Sequence, residues 1–227
     1  MSVHLDREIQ KLKKKLLILW TVIDEQLEAA VRSLMDQDED LAAEICRRDD
    51  EVDQLEVEVE EECLKILALH QPVAVDLRFI IAAMKINNDL ERIGDLAVNI
   101  ARKTRAYAGL PLIDLPFGLE EMARKVQDML RDSLDALLML DSLLAHEVCS
   151  RDSEIDQMKK IVRREVERVV CEYPDEAKSL LKLNAVARNL ERVADQATNI
   201  AEDVIYMVDG KIVRHQDAEW AGRNGDS

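Results

Sequence analysis

Asp49 and Asp53 stand four residues apart, as do Glu91 and Asp95, with Asn99 one turn further on; the same types return as Asp152 with Asp156, and Glu191 with Asp195 and Asn199. On an α-helix, residues four apart share a face with Cβ atoms about 6 Å apart, so each pair sets two carboxylates side by side. Like charges at this spacing each cost roughly 0.2–0.5 kcal/mol, and more where water is partly excluded. Asp49 and Asp53 have no Lys or Arg three or four residues away in either direction. A bound cation would neutralise such a cluster. Oxygen donors without His or Cys suit a hard or borderline divalent or trivalent ion such as Mg²⁺, Ca²⁺, Mn²⁺ or iron. The spacing therefore predicts a multi-carboxylate metal site in each half of the chain, able to take one ion or several. The competing reading is an acidic pair on a solvated helix face. It weighs more for the second set, because Lys159, Lys160 and Arg188 stand at salt-bridge spacing from Asp156 and Glu191.

These residues need helices to carry them, and the rest of the sequence supplies helices. The 227 residues include 48% hydrophobic but only 3% aromatic types, with six Gly and four Pro, a composition poor in what sheets and tight turns require. The breakers fall at Pro72, Gly109 to Gly118, Pro174 and Gly210 onward; between them apolar residues recur every three or four positions. The first stripe runs Leu5, Ile9, Leu12, Leu16, Leu19, Ile23, Leu27, Ala30, Leu34, predicting a helix to about Met35, with Asp38 as the next N-cap. A second helix carries Leu41, Ile45, Val52, Leu55, Val59, Cys63 and Ile66 and stops before Pro72. A third carries Phe79, Ala83, Ile86, Leu90, Ile93, Ala97 and Ile100. At about 100° per residue, Glu91, Asp95 and Asn99 lie almost opposite this last stripe, on the outer surface. The short link at His70-Gln71-Pro72 makes the second and third helices antiparallel neighbours, which would bring the four carboxylates and the amide of each half together.

The pattern is doubled. Arg48 to Leu55 matches Arg151 to Met158 at five of eight positions, offset by 103 residues, and Leu90 to Ala101 matches Leu190 to Ala201 at eight of twelve, offset by 100. The expected fold is all-α: two tandem three-helix bundles related by internal duplication about a pseudo-twofold axis. The first bundle spans residues 1–108 and the second 119–210, with a linker at 109–118 and a polar tail at 211–227. Gly94, inside the third helix, would permit close helix approach.

The net charge, 31 − 47 = −16, excludes nucleic acid as the main partner, since duplex binding rests on phosphate neutralisation by Lys and Arg. No apolar run approaches the roughly 18 residues of a membrane span. Lys11 to Lys15 before Leu16 to Trp20 resembles the start of a secretion signal, but Asp24 and Glu25 end the run early, which predicts a cytoplasmic protein. The scattered cysteines, Cys46, Cys63, Cys149 and Cys171, lack metal or redox spacing and read as buried reduced thiols. Nucleophilic triads, phosphate loops, zinc motifs and the Glu-x-x-His pairs of di-iron bundles are absent, so the chain is expected not to be an enzyme. The rivals are a carboxylate-bridged metalloenzyme, which needs an enclosed pocket, and a plain helical scaffold.

At Gln71-Pro72-Val73-Ala74 with Asp76-Leu77-Arg78, at Leu90 to Asp95 with Asn99-Ile100-Ala101, at Asn189 to Asp195 with Ala201-Glu202-Asp203, and at Gly210 to His215, the chain resembles the PhoU family of phosphate-transport regulators. The resemblance covers residues 5 to 215 and implies two three-helix bundles whose acidic motifs bind metal clusters at the surface. Carried over, Asp49, Asp53, Glu91 and Asp95 form one cluster, and Asp152, Asp156, Glu191 and Asp195 the other. Where the family often has His after the second acidic residue, this sequence has Leu96 and Gln196. The resemblance also implies a cytoplasmic, non-enzymatic homodimer that restrains phosphate uptake and the phosphate-starvation response. Its implied partners are the ATPase of the phosphate-specific ABC transporter and a membrane-bound sensor histidine kinase, with the membrane reached only through them.

Overall fold

The structure, a computed structural model, describes residues 3–107 and 118–210. Its helices are α1 (Val3–Asp36), α2 (Glu39–Arg47), α3 (Asp49–His70), α4 (Ala74–Tyr107), α5 (Leu119–Met139), α6 (Ser142–Glu172) and α7 (Ala177–Asp209), with a 3₁₀ turn at Pro174–Glu176. No strand occurs among the described residues. The expected linker up to residue 117 and the tail at 211–227 lie outside the described residues. None of the described helices is long and apolar enough to cross a membrane.

Every member of the α1 stripe from Leu5 to Leu34 is buried, and so are the Phe79-to-Ile100 positions of α4. Full burial of a Leu or Ile side chain stabilises by roughly 1.5–3 kcal/mol, so these stripes dominate the packing. Opposite charges set the register at the rim: Lys15 pairs with Glu58 at 2.8 Å and Lys65 with Glu8 at 3.0 Å, so α3 runs antiparallel to α1. α5 and α6 pack on α7 as α1 and α3 pack on α4, and the two halves join chiefly through α4 against α7. Arg78 Nε donates to the Met207 carbonyl at 3.4 Å and Lys85 meets Asp203, which fixes α4 and α7 as antiparallel.

The turns are duplicated too. Asp38 caps α2 by accepting from Leu41 N–H, and Asp141, 103 residues on, caps α6 by accepting from Leu143 and Leu144 N–H. Each cap follows a left-handed residue, Gln37 at φ 53° and Leu140 at φ 54°. The Asp38 and Asp141 amides reach back to the Ser33 and Ala136 carbonyls, which closes the preceding helix.

Two expectations are corrected. The second helix is not continuous: it breaks at Arg48, where φ −87° and ψ 1° leave the helical register and Arg48 N–H is shared between the Glu44 and Ile45 carbonyls. Asp49, Asp50 and Glu51 thereby form the first turn of α3, where negative side chains face the positive end of the helix dipole. The equivalent Arg151 lies inside an unbroken α6. Second, the cysteines are free thiols but not all buried. Cys63 is buried, and burial pushes its thiol up to about 12. Cys171 is exposed, because α6 turns Val162 and Val166 inward and one more residue past Val170 faces water.

Candidate metal centre

In the first half, α3 carries Asp49 and Asp53 and the antiparallel α4 carries Glu91, Asp95 and Asn99. Asp53 and Asp95 are exposed; Asp49, Glu91 and Asn99 are partly covered. The four carboxylates share one electrostatic neighbourhood. Asp49 is raised above the usual carboxylate range by burial and then by the charges of Asp53 and Asp95; Glu91 is raised by burial and then by Asp95, Asp53 and Glu56. Among the described residues, no Lys or Arg comes within salt-bridge distance of Asp49, Asp53, Glu56, Glu91 or Asp95. The nearest relief is the field of Arg102 at Asp49 and of Arg92 at Glu91.

Glu56 was not among the expected residues. Its side chain is held by Asn87, a buried residue of α4 whose Nδ2 donates to the Glu56 main-chain carbonyl at 3.0 Å and to Oε1 at 3.1 Å. The signal in the sequence was the position three residues after Asp53, one turn along the same face. Arg102, which donates to Asn99 Oδ1 at 3.5 Å, was also missed, since it becomes a neighbour of Asp49 only across the α3–α4 contact.

Gly94 is what lets α4 come this close. A Cβ there would lie 3.2 Å from Val52 Cγ1 on α3 and 3.6 Å from Gln26 Oε1 on α1. The glycine costs about 1 kcal/mol of helix propensity relative to alanine and returns a tight three-helix contact directly beneath the acidic face.

The second half brings together Asp152 and Asp156 on α6 and Glu191 and Asp195 on α7, with Asn199 one turn on; all five are partly covered. Here the charge is answered. Lys159 Nζ lies 2.6 Å from Asp156 Oδ1 and 2.6 Å from Glu191 Oε1, bridging the two helices, and Lys160 stands 3.9 Å from Asp156 Oδ2. Hydrogen bonding to Lys159 lowers Asp156. Asp195 is pushed up to about 6 by burial and then by Glu191 and Asp152, with Lys159 opposing.

The two sets differ as hosts for a cation. The first is an all-oxygen donor set on two adjacent helices, mutually repelled and open to solvent on one side, which fits a hard ion in donor chemistry. The second already holds an ammonium between two of its carboxylates. As the side chains stand, no three His, Cys, Asp or Glu among the described residues are arranged to hold an ion. Occupation of the first set would require its carboxylates to turn toward one another.

A family model described as the PhoU domain matches residues 16–104 and again 119–204, once on each half of the duplication. The chain belongs to the PhoU family. It is 38% identical, over 94% of its length and 89% of the relative's, to the phosphate-specific transport system accessory protein PhoU homolog of Pseudomonas aeruginosa. It is 34% identical, over 92% of its length and 95% of the relative's, to the homolog of Clostridium acetobutylicum. The crystal structure of PhoU from Pseudomonas aeruginosa superposes with a TM-score of 0.88 at 35% identity, covering 91% of this chain and 99% of that one. The phosphate transport system regulatory protein PhoU from Streptococcus pneumoniae gives 0.84 at 27% identity, covering 92% and 99%. These PhoU relatives are named as accessory and regulatory proteins, and this member is a non-enzymatic accessory protein of phosphate transport with them.

Proposed function

We propose that the protein is a metal-dependent adaptor that restrains phosphate uptake and the phosphate-starvation response, working as a homodimer at the cytoplasmic side of the membrane. The observation that carries the reading is the unpaired first cluster: Asp49, Asp53, Glu91 and Asp95 on a partly open face with no cationic side chain within ion-pair reach among the described residues. Asp49 and Asp53 from α3 would hold the ion with Glu91 and Asp95 from α4, and Asn99 would supply a neutral oxygen. A bound divalent or trivalent ion, such as Mg²⁺, Mn²⁺ or iron, would supply positive charge to that face. The chain's own residues then orient that charge outward, because Gly94 fixes the spacing of α3 and α4 and Asn87 anchors Glu56 beside it.

The names of the relatives support an accessory role toward the phosphate-specific transport system. An acidic surface switched toward neutrality by an ion would dock on the transporter's ATPase or on a sensor histidine kinase according to phosphate supply. The exposure of Asp53 and Asp95 favours such a docking face over the enclosed pocket that a carboxylate-bridged enzyme needs.

The experiment is a pull-down of the ATPase and the kinase from phosphate-replete and phosphate-starved cells, with elemental analysis of the purified protein. Wild type should retain stoichiometric metal and capture both partners in a phosphate-dependent way; Glu91→Gln with Asp95→Asn should lose the metal and weaken capture. Metal content unchanged in that variant would refute the assignment.

A further inference from the structure

We propose that the second half of the chain has exchanged its ion for a built-in ammonium: Lys159, clamped between Asp156 of α6 and Glu191 of α7, does the bridging that an ion does in the first half. The protein thus carries one ion site per chain. The clause about the first half rests on the function proposed above; the clause about Lys159 does not.

The duplication makes the exchange visible position by position. Asp49, Asp53, Glu91 and Asp95 reappear unchanged in type as Asp152, Asp156, Glu191 and Asp195, but Glu56 reappears as Lys159 at the same offset of 103. Its neighbour changes with it. Asn87, which donates to the Glu56 carboxylate, corresponds at an offset of 100 to Ala187, which is buried and has no polar group to offer. In one half an amide therefore holds a fifth carboxylate against the cluster. In the other, a cation takes that position, and the amide that would compete for it is gone.

The geometry completes the case. Lys159 Nζ reaches one carboxylate on each of two helices at 2.6 Å, which puts a positive charge between the same side chains that would hold a cation from both helices. Its side chain is 24% exposed and that of Glu191 19%, so the bridge is sheltered more than an ordinary surface pair. A divalent ion entering between the same carboxylates would have to expel this ammonium or sit against it. Lys160 at 3.9 Å from Asp156 adds a second positive charge to the same side. The first half presents no such obstacle.

The test uses the full chain, stripped with chelator and titrated with Mn²⁺ by calorimetry, with bound metal counted independently. Wild type should show one class of site, lost in Asp53→Asn with Glu91→Gln and retained in Asp156→Asn with Glu191→Gln. Lys159→Met should gain a second site binding at least tenfold more tightly than any residual second binding in wild type. Lys159→Arg, which keeps the bridge, should behave as wild type. In EDTA, Lys159→Met should melt below wild type, and Mn²⁺ should raise its melting temperature more than it raises that of wild type, since a ligand stabilises the state that binds it. Equal loading of both halves in wild type, or a folded Lys159→Met that gains no second site, overturns the proposal. If wild type binds no Mn²⁺ while Lys159→Met gains a site, the reading of the first cluster fails and that of Lys159 stands.

Discussion

Lys85 of α4 and Asp203 of α7 form an ion pair at the seam between the two halves, Nζ to Oδ1 at 3.0 Å, with the Asp203 side chain only 2% exposed. Lys85 also lies 5.5 Å from the centre of the Tyr206 ring, one turn along α7, so a single ammonium is held by a carboxylate and an aromatic face. The pair breaks the internal symmetry, because the residue 100 positions before Asp203 is Lys103. It lies just inside the Arg78–Met207 contact along α4 and α7 and so helps select the antiparallel register.

Lys85→Met should destabilise the protein by about 1–3 kcal/mol, because a buried carboxylate loses its 3.0 Å ion pair to this ammonium while the partly exposed lysine limits the loss. Urea unfolding checks this. Adding Asp203→Leu should recover part of the deficit; a double variant worse than the sum of the singles would show that the pair is not what matters there.

Asp195 makes a prediction about pH. Its carboxyl is pushed up to about 6 in the folded protein from 3.8, chiefly by burial and then by Glu191 and Asp152. The folded state therefore binds this proton more tightly than the unfolded chain. The resulting stabilisation is complete below the unfolded value and is lost as pH rises from 3.8 through about 6. Asp156, lowered by Lys159, acts in the opposite sense, since its contribution is present above its unfolded value of 3.8 and disappears as pH falls through its folded value. Asp195→Asn should flatten the decline across the upper window and melt higher than wild type at neutral pH. Melting curves taken with chelator at several pH values decide it.

Gly94→Ala sets a gain in helix propensity of about 1 kcal/mol against a Cβ placed 3.2 Å from Val52 Cγ1. Val52 is buried and branched at Cβ, so it yields little, and the expected net change is a loss of about 1 kcal/mol. Combining it with Val52→Ala should relieve the clash. The first cluster should also loosen, seen as weaker Mn²⁺ binding in Gly94→Ala but not in surface alanine variants of α1.

Gln26 is buried with neither amide atom hydrogen-bonded among the described residues, packed behind Gly94 and Val52. Met129, fully buried, stands 103 residues on, the same offset that relates the Ser33 and Ala136 carbonyls at the ends of α1 and α5. Gln26→Met should therefore stabilise by about 1–3 kcal/mol by removing an unsatisfied polar group of similar volume. Guanidinium unfolding that shows a loss instead would mean that this amide has a role beneath the cluster.

Much of this molecule was legible because helix periodicity is a local property. The spacing of Leu5 to Leu34 dictates a buried stripe, and Asp38 dictates a cap, with no knowledge of what packs where. The duplication carried the reading further, since agreement between Leu90–Ala101 and Leu190–Ala201 separates residues held in common from background. What escaped were the places where two halves that look alike differ by context. The break at Arg48 and the continuity at Arg151 come from nearly identical segments, so packing rather than local sequence decides between them. Glu56 became part of the cluster only through Asn87, a contact 31 residues away in sequence.

The sequence by itself determined the helices, their doubled arrangement and which carboxylates share a face, because each follows from a period of 3.6 residues and from side-chain charge. The tertiary structure alone decided the charge state of those faces, because Coulomb energy depends on distances between helices. Lys159 could pair only along its own helix until α6 met α7 and brought Glu191 to 2.6 Å, whereas Asp53 and Glu91 came together with no cation within ion-pair reach among the described residues.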